Sequence, residues 1–166
     1  MKESLRELWS KFLNIFGDIK VFKWPLFMVY DPVLYQVSGK DRRKMLKLIK
    51  PGDIVLHFYR HYLDGFLIPG KYSHSGVYVG DDTVIHAVAE GVCTQDILEF
   101  MDCDGLAIVR LKDSESEIGQ LRIKKAIERA WANIGKKYDH FFTEGDEALY
   151  CHEHTRTCFP ECDIKK

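Results

Sequence analysis

The stretch Tyr72-Ser-His-Ser-Gly-Val-Tyr-Val-Gly-Asp-Asp-Thr-Val-Ile-His-Ala-Val-Ala-Glu-Gly91 decides how the rest of the chain is read. It parses as two short strands around the turn Gly80-Asp81-Asp82, with His74 opening the first strand and His86 inside the second. Successive strand side chains point to opposite faces, so Val77, Val79, Ile85, Ala87 and Ala89 make one apolar face. The register then decides where the histidines go. A three-residue loop pairs Val79 with Thr83 and Gly76 with His86, and both histidines share the face away from the apolar one. A two-residue loop, Asp81-Asp82, sends them to opposite faces and scatters the apolar residues. Burial favours the first. Two imidazoles on one face suit either a metal or a catalytic base with the partner that orients it.

The second of these needs a nucleophile, and Cys151 is the candidate. It follows a loop and starts a short helix, Tyr150-Cys-His-Glu-His-Thr-Arg-Thr-Cys158, which Pro160 stops. Unpaired N–H groups and the helix dipole favour a thiolate there, and the Cys151 N–H is placed to join an oxyanion hole. The metal reading draws its further ligands from His57, His61 or the terminal group Cys151, His152, His154, Cys158 and Cys162. The spacing C-x6-C-x3-C matches no common structural zinc pattern.

At 166 residues the chain is long enough for one domain with its own core, and 46% hydrophobic with 13% aromatic residues is a folded composition. A net charge of −1 gives nucleic acid nothing to attract. Five cysteines, an odd number without a CxxC pair, argue against a disulfide framework. The N-terminus lacks the basic start and apolar run of a signal peptide, and no run of 18 apolar residues occurs, so the expectation is a cytoplasmic protein.

Outward from the hairpin, residues 3–16 carry Leu5, Leu8, Trp9, Phe12 and Phe16 at helical spacing. This amphipathic helix is expected to pack on the domain, with a membrane surface as the alternative partner. Residues 20–37 have no clean period and read as extended coil with one edge strand at most. Ser38-Gly-Lys-Asp41 opens a basic helix to about Ile49, which Pro51-Gly52 stops, and Asp53–Tyr59 reads as a strand. Residues 60–71 form a loop. Thr94–Met101 suggests one or two helical turns, and Gly105–Leu111 reads as the clearest buried strand. Ser114 caps a helix with Glu117 three residues on, and Gly135 ends it. The result is an α+β chain, with an antiparallel sheet of four to six strands between helices. Residues 1–50 are read as a helical extension and 51–166 as the main domain.

Pro51-Gly-Asp-Ile-Val-Leu, the hairpin with Gly91-Val, Ile134-Gly-Lys-Lys-Tyr-Asp-His-Phe-Phe and Leu149-Tyr-Cys-His-Glu occur in one order. Together they resemble the circularly permuted NlpC-type papain-like hydrolases, in their YiiX/YaeF-like branch. The resemblance spans about residues 48–158 and implies a permuted papain-like fold, a sheet or small barrel packed with helices. It places Cys151 as nucleophile, His74 as base and His86 at the orienting position, with Glu153 in support and Tyr138 lining the pocket. It also implies amide substrates, of the cell-wall peptide or N-acyl amino-acid kind, and no cofactor. One departure is the polar run His152-Glu-His-Thr-Arg156, where the family helix is usually apolar. The lecithin:retinol acyltransferase group has a similar two-histidine hairpin, and Cys151-His-Glu-His154 has some likeness to its Asn-Cys-Glu-His motif. A lipid acyltransferase or phospholipase is therefore the alternative enzyme, and a metal-bound interaction module the non-enzymatic one. His57, His61 and His140 read as surface or satisfied core residues, and Cys93 and Cys103 as core fillers.

Overall fold

The computed structural model describes residues 7–13, 19–23, 27–30, 36–60, 72–140, 145 and 147–162. Its elements in chain order are α1 (residues 7–13), β1 (Ile19–Lys23), β2 (Phe27–Tyr30), α2 (Gly39–Leu48), β3 (Ile54–Phe58), β4 (His74–Gly80) and β5 (Thr83–Val88). There follow β6 (Gly91–Asp96), α3 (Ile97–Phe100), β7 (Gly105–Val109), α4 (Glu117–Ala132) and α5 (Cys151–Cys158). His61 and the rest of the expected loop to residue 71 lie outside the described residues. So do residues 3–6 and 14–16 of the expected first helix.

β4 and β5 pair with Gly76 opposite His86, the register that puts both histidines on one face. The turn is tighter than expected. Gly80, not Val79, pairs with Thr83, and Asp81 and Asp82 make a two-residue turn at φ 48° and 53°. The ladder shifts between Tyr78 and Gly80, so a bulge at Val79 absorbs the odd residue. A two-residue turn thus coexists with the pairing that a three-residue loop demanded.

The hairpin sits in the middle of a five-stranded antiparallel sheet of order β6-β5-β4-β3-β7. Helices cover it on both faces. On one, Ile54, Val77, Ile85 and Ala87 pack with Ala126 and Ala130 of α4 and with Cys158 and Phe159 at the end of α5. On the other, Val55, Tyr78 and Val84 meet Met45 of α2 and Ile97 and Phe100 of α3. The histidine face of the hairpin is therefore no solvated surface but a second buried layer.

Several expectations change for identifiable reasons. Residues 91–96 are a strand on the edge of the sheet, paired with β5, and the helix after them is the single turn Ile97–Phe100, capped by Asp96. β7 is only half-buried, with Val109 46% exposed, because it is the other edge and pairs with β3 alone. Ser116 rather than Ser114 caps α4, accepting from the Gly119 N–H at 3.0 Å. Residues within 20–37 form a two-stranded ribbon, β1 with β2, so the first fifty residues are not helical throughout. In α1, Leu8, Trp9 and Phe12 are 67, 46 and 51% exposed, so these side chains of the expected stripe are not packed away. α2 matches its signals, with Ser38 and Asp41 forming a capping box.

Asp53 ties the layers together at the start of β3. It is 1% exposed and accepts from the Lys50 N–H at 2.7 Å and from Arg110 through both carboxylate oxygens at 2.7 Å. Removing the carboxylate takes the partner from the Lys50 N–H and two charge-assisted hydrogen bonds from Arg110, whose guanidinium still reaches water. Asp53→Ala is expected to lower stability by about 3 kcal/mol, read from the urea midpoint, with an unchanged far-UV spectrum below it.

Candidate active site

Four rings gather on the α3 side of the hairpin. His74 Nε2 and His86 Nδ1 are 2.9 Å apart, one donating and the other accepting. Phe100 flanks both rings, with centroids at 5.7 Å from His74 and 5.4 Å from His86. Gly76 makes this possible: a Cβ there would lie 2.5 Å from Val84, 3.1 Å from Phe100 and 3.2 Å from the His86 Cβ. His57 is the fourth member. It faces His74 across the β3–β4 ladder, stacks on it at 4.8 Å and directs Nδ1 to the Phe100 carbonyl at 3.0 Å. It is the satisfied core residue that was expected, and also a wall of the His74 pocket. The alternation Val55-Leu-His57 on β3 was the available signal.

α5 docks on the opposite face of β4. The Ser75 and Thr155 hydroxyls lie 2.6 Å apart and 3.1 and 2.9 Å from the Cys151 carbonyl, so one hydroxyl donates to the other, which donates to the carbonyl. All three groups are buried. This seats Cys151 at position N1 of α5, beside the start of β4, with the thiol 3.8 Å from the Ser73 carbonyl. The second contact of the thiol is the ring of the next residue, His152 Nδ1, at 3.2 Å. The structure thus joins His74 to His86, and it hydrogen-bonds the thiol to Ser73 and His152 rather than to either of them.

Burial dominates the electrostatics. It pushes the Cys151 thiol up to about 11, against the backbone N–H groups of His152, Ser75 and Cys151 and the Tyr138 side chain, which pull it down. The helix start was expected to favour a thiolate; desolvation outweighs it, and the resting group is a protonated thiol. Burial also holds His74 well below its usual value, followed by repulsion from His57, His86, His152 and His154. His57, His86 and His154 are each lowered to about 4, again by burial first. The histidines are neutral at pH 7 and can take protons only against desolvation.

Glu153 is buried on α5, with Oε1 accepting from the Gly145 N–H at 3.2 Å and Oε2 unpartnered among the described residues. The terminal Cys/His group does not converge. His154 Nδ1 lies 3.4 Å from Asn133 Nδ2, and Cys158 belongs to the apolar core. Among the described residues no three His, Cys, Asp or Glu side chains are placed to hold a metal ion.

The family model of permuted papain-like amidase enzymes, YaeF/YiiX, C92 family, matches residues 48–166. The crystal structure of metalloprotein yiiX from Escherichia coli O157:H7 superposes with a TM-score of 0.57 at 21% identity. The match covers 68% of this chain and 65% of that one, less than two thirds of its length. None of the curated proteins matches.

Because these imidazoles are depressed in the fold, an unfolded chain takes up protons near pH 6.5 that the folded one refuses until about pH 4. Stability is therefore full above pH 6.5 and lost as pH falls through that window. Urea denaturation at pH 5 is expected to give at least about 2 kcal/mol less stability than at pH 7. Equal values would mean that the rings are not buried as neutral groups.

Proposed function

The chain belongs to the permuted papain-like amidase family, and from that premise we propose that it is a hydrolase working by a Cys-His-His mechanism, with Cys151 as nucleophile, His74 as base and His86 as its orienting partner. The observation that carries the proposal is the His74 Nε2 to His86 Nδ1 hydrogen bond at 2.9 Å. If Nε2 of His74 donates in it, Nδ1 of the same ring is left as the acceptor for a thiol proton. As His74 becomes cationic, that hydrogen bond becomes charge-assisted and strengthens. The thiol must leave its resting contacts and reach His74, which suits activation on substrate binding.

The steps balance with groups already named. Sulfur attacks the amide carbonyl as its proton passes to His74, and the carbonyl π pair moves to oxygen. The tetrahedral intermediate collapses as His74 returns the proton to the leaving nitrogen, and water then hydrolyses the thioester. The N–H groups that stabilise sulfur, from Ser75, Cys151 and His152, are the donors nearest to where an oxyanion would form. The substrate class is an amide of peptide or N-acyl amino-acid type. The word "metalloprotein" is said of the E. coli protein, and the steps above use only this chain's own side chains and main chain.

Against an N-acyl amino-acid p-nitroanilide, Cys151→Ala is expected to abolish turnover. His74→Ala should lower kcat/KM at least about a hundredfold, and His86→Ala about tenfold. Turnover by Cys151→Ala as fast as by the unaltered enzyme would overturn the proposal.

A second reading, an acyl ester of a lipid as substrate, is favoured by the exposed Leu8, Trp9 and Phe12 on α1. No described helix is long and apolar enough to cross a membrane, so contact would be at the surface. Flotation with anionic vesicles should carry the full chain and lose the variant lacking residues 1–20; equal recovery of both removes the lipid reading.

A further inference from the structure

The polar residue after the nucleophile has no part in the scheme above, yet its ring touches the reacting sulfur. We propose that His152 is a second general base on Cys151, accepting the thiol proton as sulfur attacks an electrophile that does not engage His74. This rests on Cys151 being the nucleophile.

The geometry is specific. His152 Nδ1 lies 3.2 Å from Sγ, whereas the competing acceptor, the Ser73 carbonyl, is at 3.8 Å and no hydrogen bond joins the thiol to His74. A thiol has one proton to give, and the nearest basic atom receives it. Position also separates the two rings chemically. His74 is enclosed by His57, His86 and Phe100, so a cation there forms far from water and beside other imidazoles. His152 is only half-buried, so an imidazolium there is hydrated on one side. Its affinity for protons is lowered by burial alone, without the repulsive neighbours that act on His74.

Among the described residues, few groups face the thiol. Tyr138 approaches from the segment ahead of α5, β4 presents the Ser73 carbonyl and the Ser75 N–H, and α5 itself contributes the His152 ring. None of the first three is a base near neutrality. Charge on His152 is felt at His74, so the two rings are not independent: a proton on one opposes a proton on the other. The thiol therefore has an outer base open to solvent and an inner base held in a dry pocket. In reaction with an electrophile the S–H bond breaks, the proton moves to His152 Nδ1, and sulfur forms its bond to carbon. The leaving group departs with its electron pair, and His152 sheds the proton to water.

Iodoacetamide reads this step without a substrate. The rate of Cys151 carboxamidomethylation, followed by peptide mass spectrometry from pH 5 to 10, is compared for the unaltered protein, His152→Gln and His152→Ala. Gln keeps a polar side chain at the thiol but cannot take a proton. Both variants are expected to label about tenfold more slowly at pH 7, with the profile displaced to higher pH, while Cys93 and Cys162 label as before. Thermal melts check that each variant is folded. Superimposable profiles in folded variants would overturn the role of His152 and leave the nucleophile untouched. Full turnover by Cys151→Ala, by contrast, would remove the nucleophile and this inference with it.

Discussion

The candidate site depends on one buried contact between segments far apart in the chain. Ser75 on β4 and Thr155 on α5 meet hydroxyl to hydroxyl, one donating to the other and the second donating to the Cys151 carbonyl. Buried hydroxyls are tolerated only when satisfied, so the contact fixes the lateral position of α5 on the sheet as well as adding attraction. It leaves the first turn of the helix, with its free N–H groups, beside the start of β4. Everything chemical about Cys151 follows from that seat.

β4 serves two layers at once. Its odd-numbered residues, Ser75 and Val77, face α4 and α5; its even-numbered residues, His74, Gly76 and Tyr78, face α2 and α3. The imidazole pair and the cysteine helix therefore meet the same strand from different faces, at its first residues. That explains why the sulfur rests on main chain and on His152, and why the histidines rest on each other. Covering both faces also makes the site dry, and desolvation sets the direction of each shift that matters: thiol up, imidazoles down. A site built this way is inert at rest, and its proton transfer has to be coupled to bond formation rather than completed beforehand.

Much of this was legible in the sequence. The alternation around Gly80-Asp81-Asp82 places His74 and His86 on one face, because the alternative register exposes valines and isoleucine. The Val79 bulge was not legible: a two-residue turn keeps the favoured pairing only if one residue is left out of the ladder, and the alternation does not say which. Cys151 at a helix start was readable from the loop before it and Pro160 after it. Thr94–Asp96, expected as the start of a helix, instead extend a strand that pairs with β5 across the Ala89-Glu90 turn, and propensity at those three positions carries no record of the pairing. Ser114 carries the capping-box Glu117 three residues on and Ser116 only Gly119, yet Ser114 is buried and Ser116 caps the helix, a choice made by packing.

By itself the sequence determined the shared face of the two histidines and the helix start at the late cysteine, both of which follow from local periodicity and from the residues that bound the helix. It also carried the family resemblance, through motifs whose order survives without coordinates. Tertiary structure alone decided that the histidine face is buried, that His57 closes the pocket of His74 and that the thiol rests on His152. Those are consequences of which layer covers which face of the sheet, and a pattern of alternating side chains says only that two faces exist.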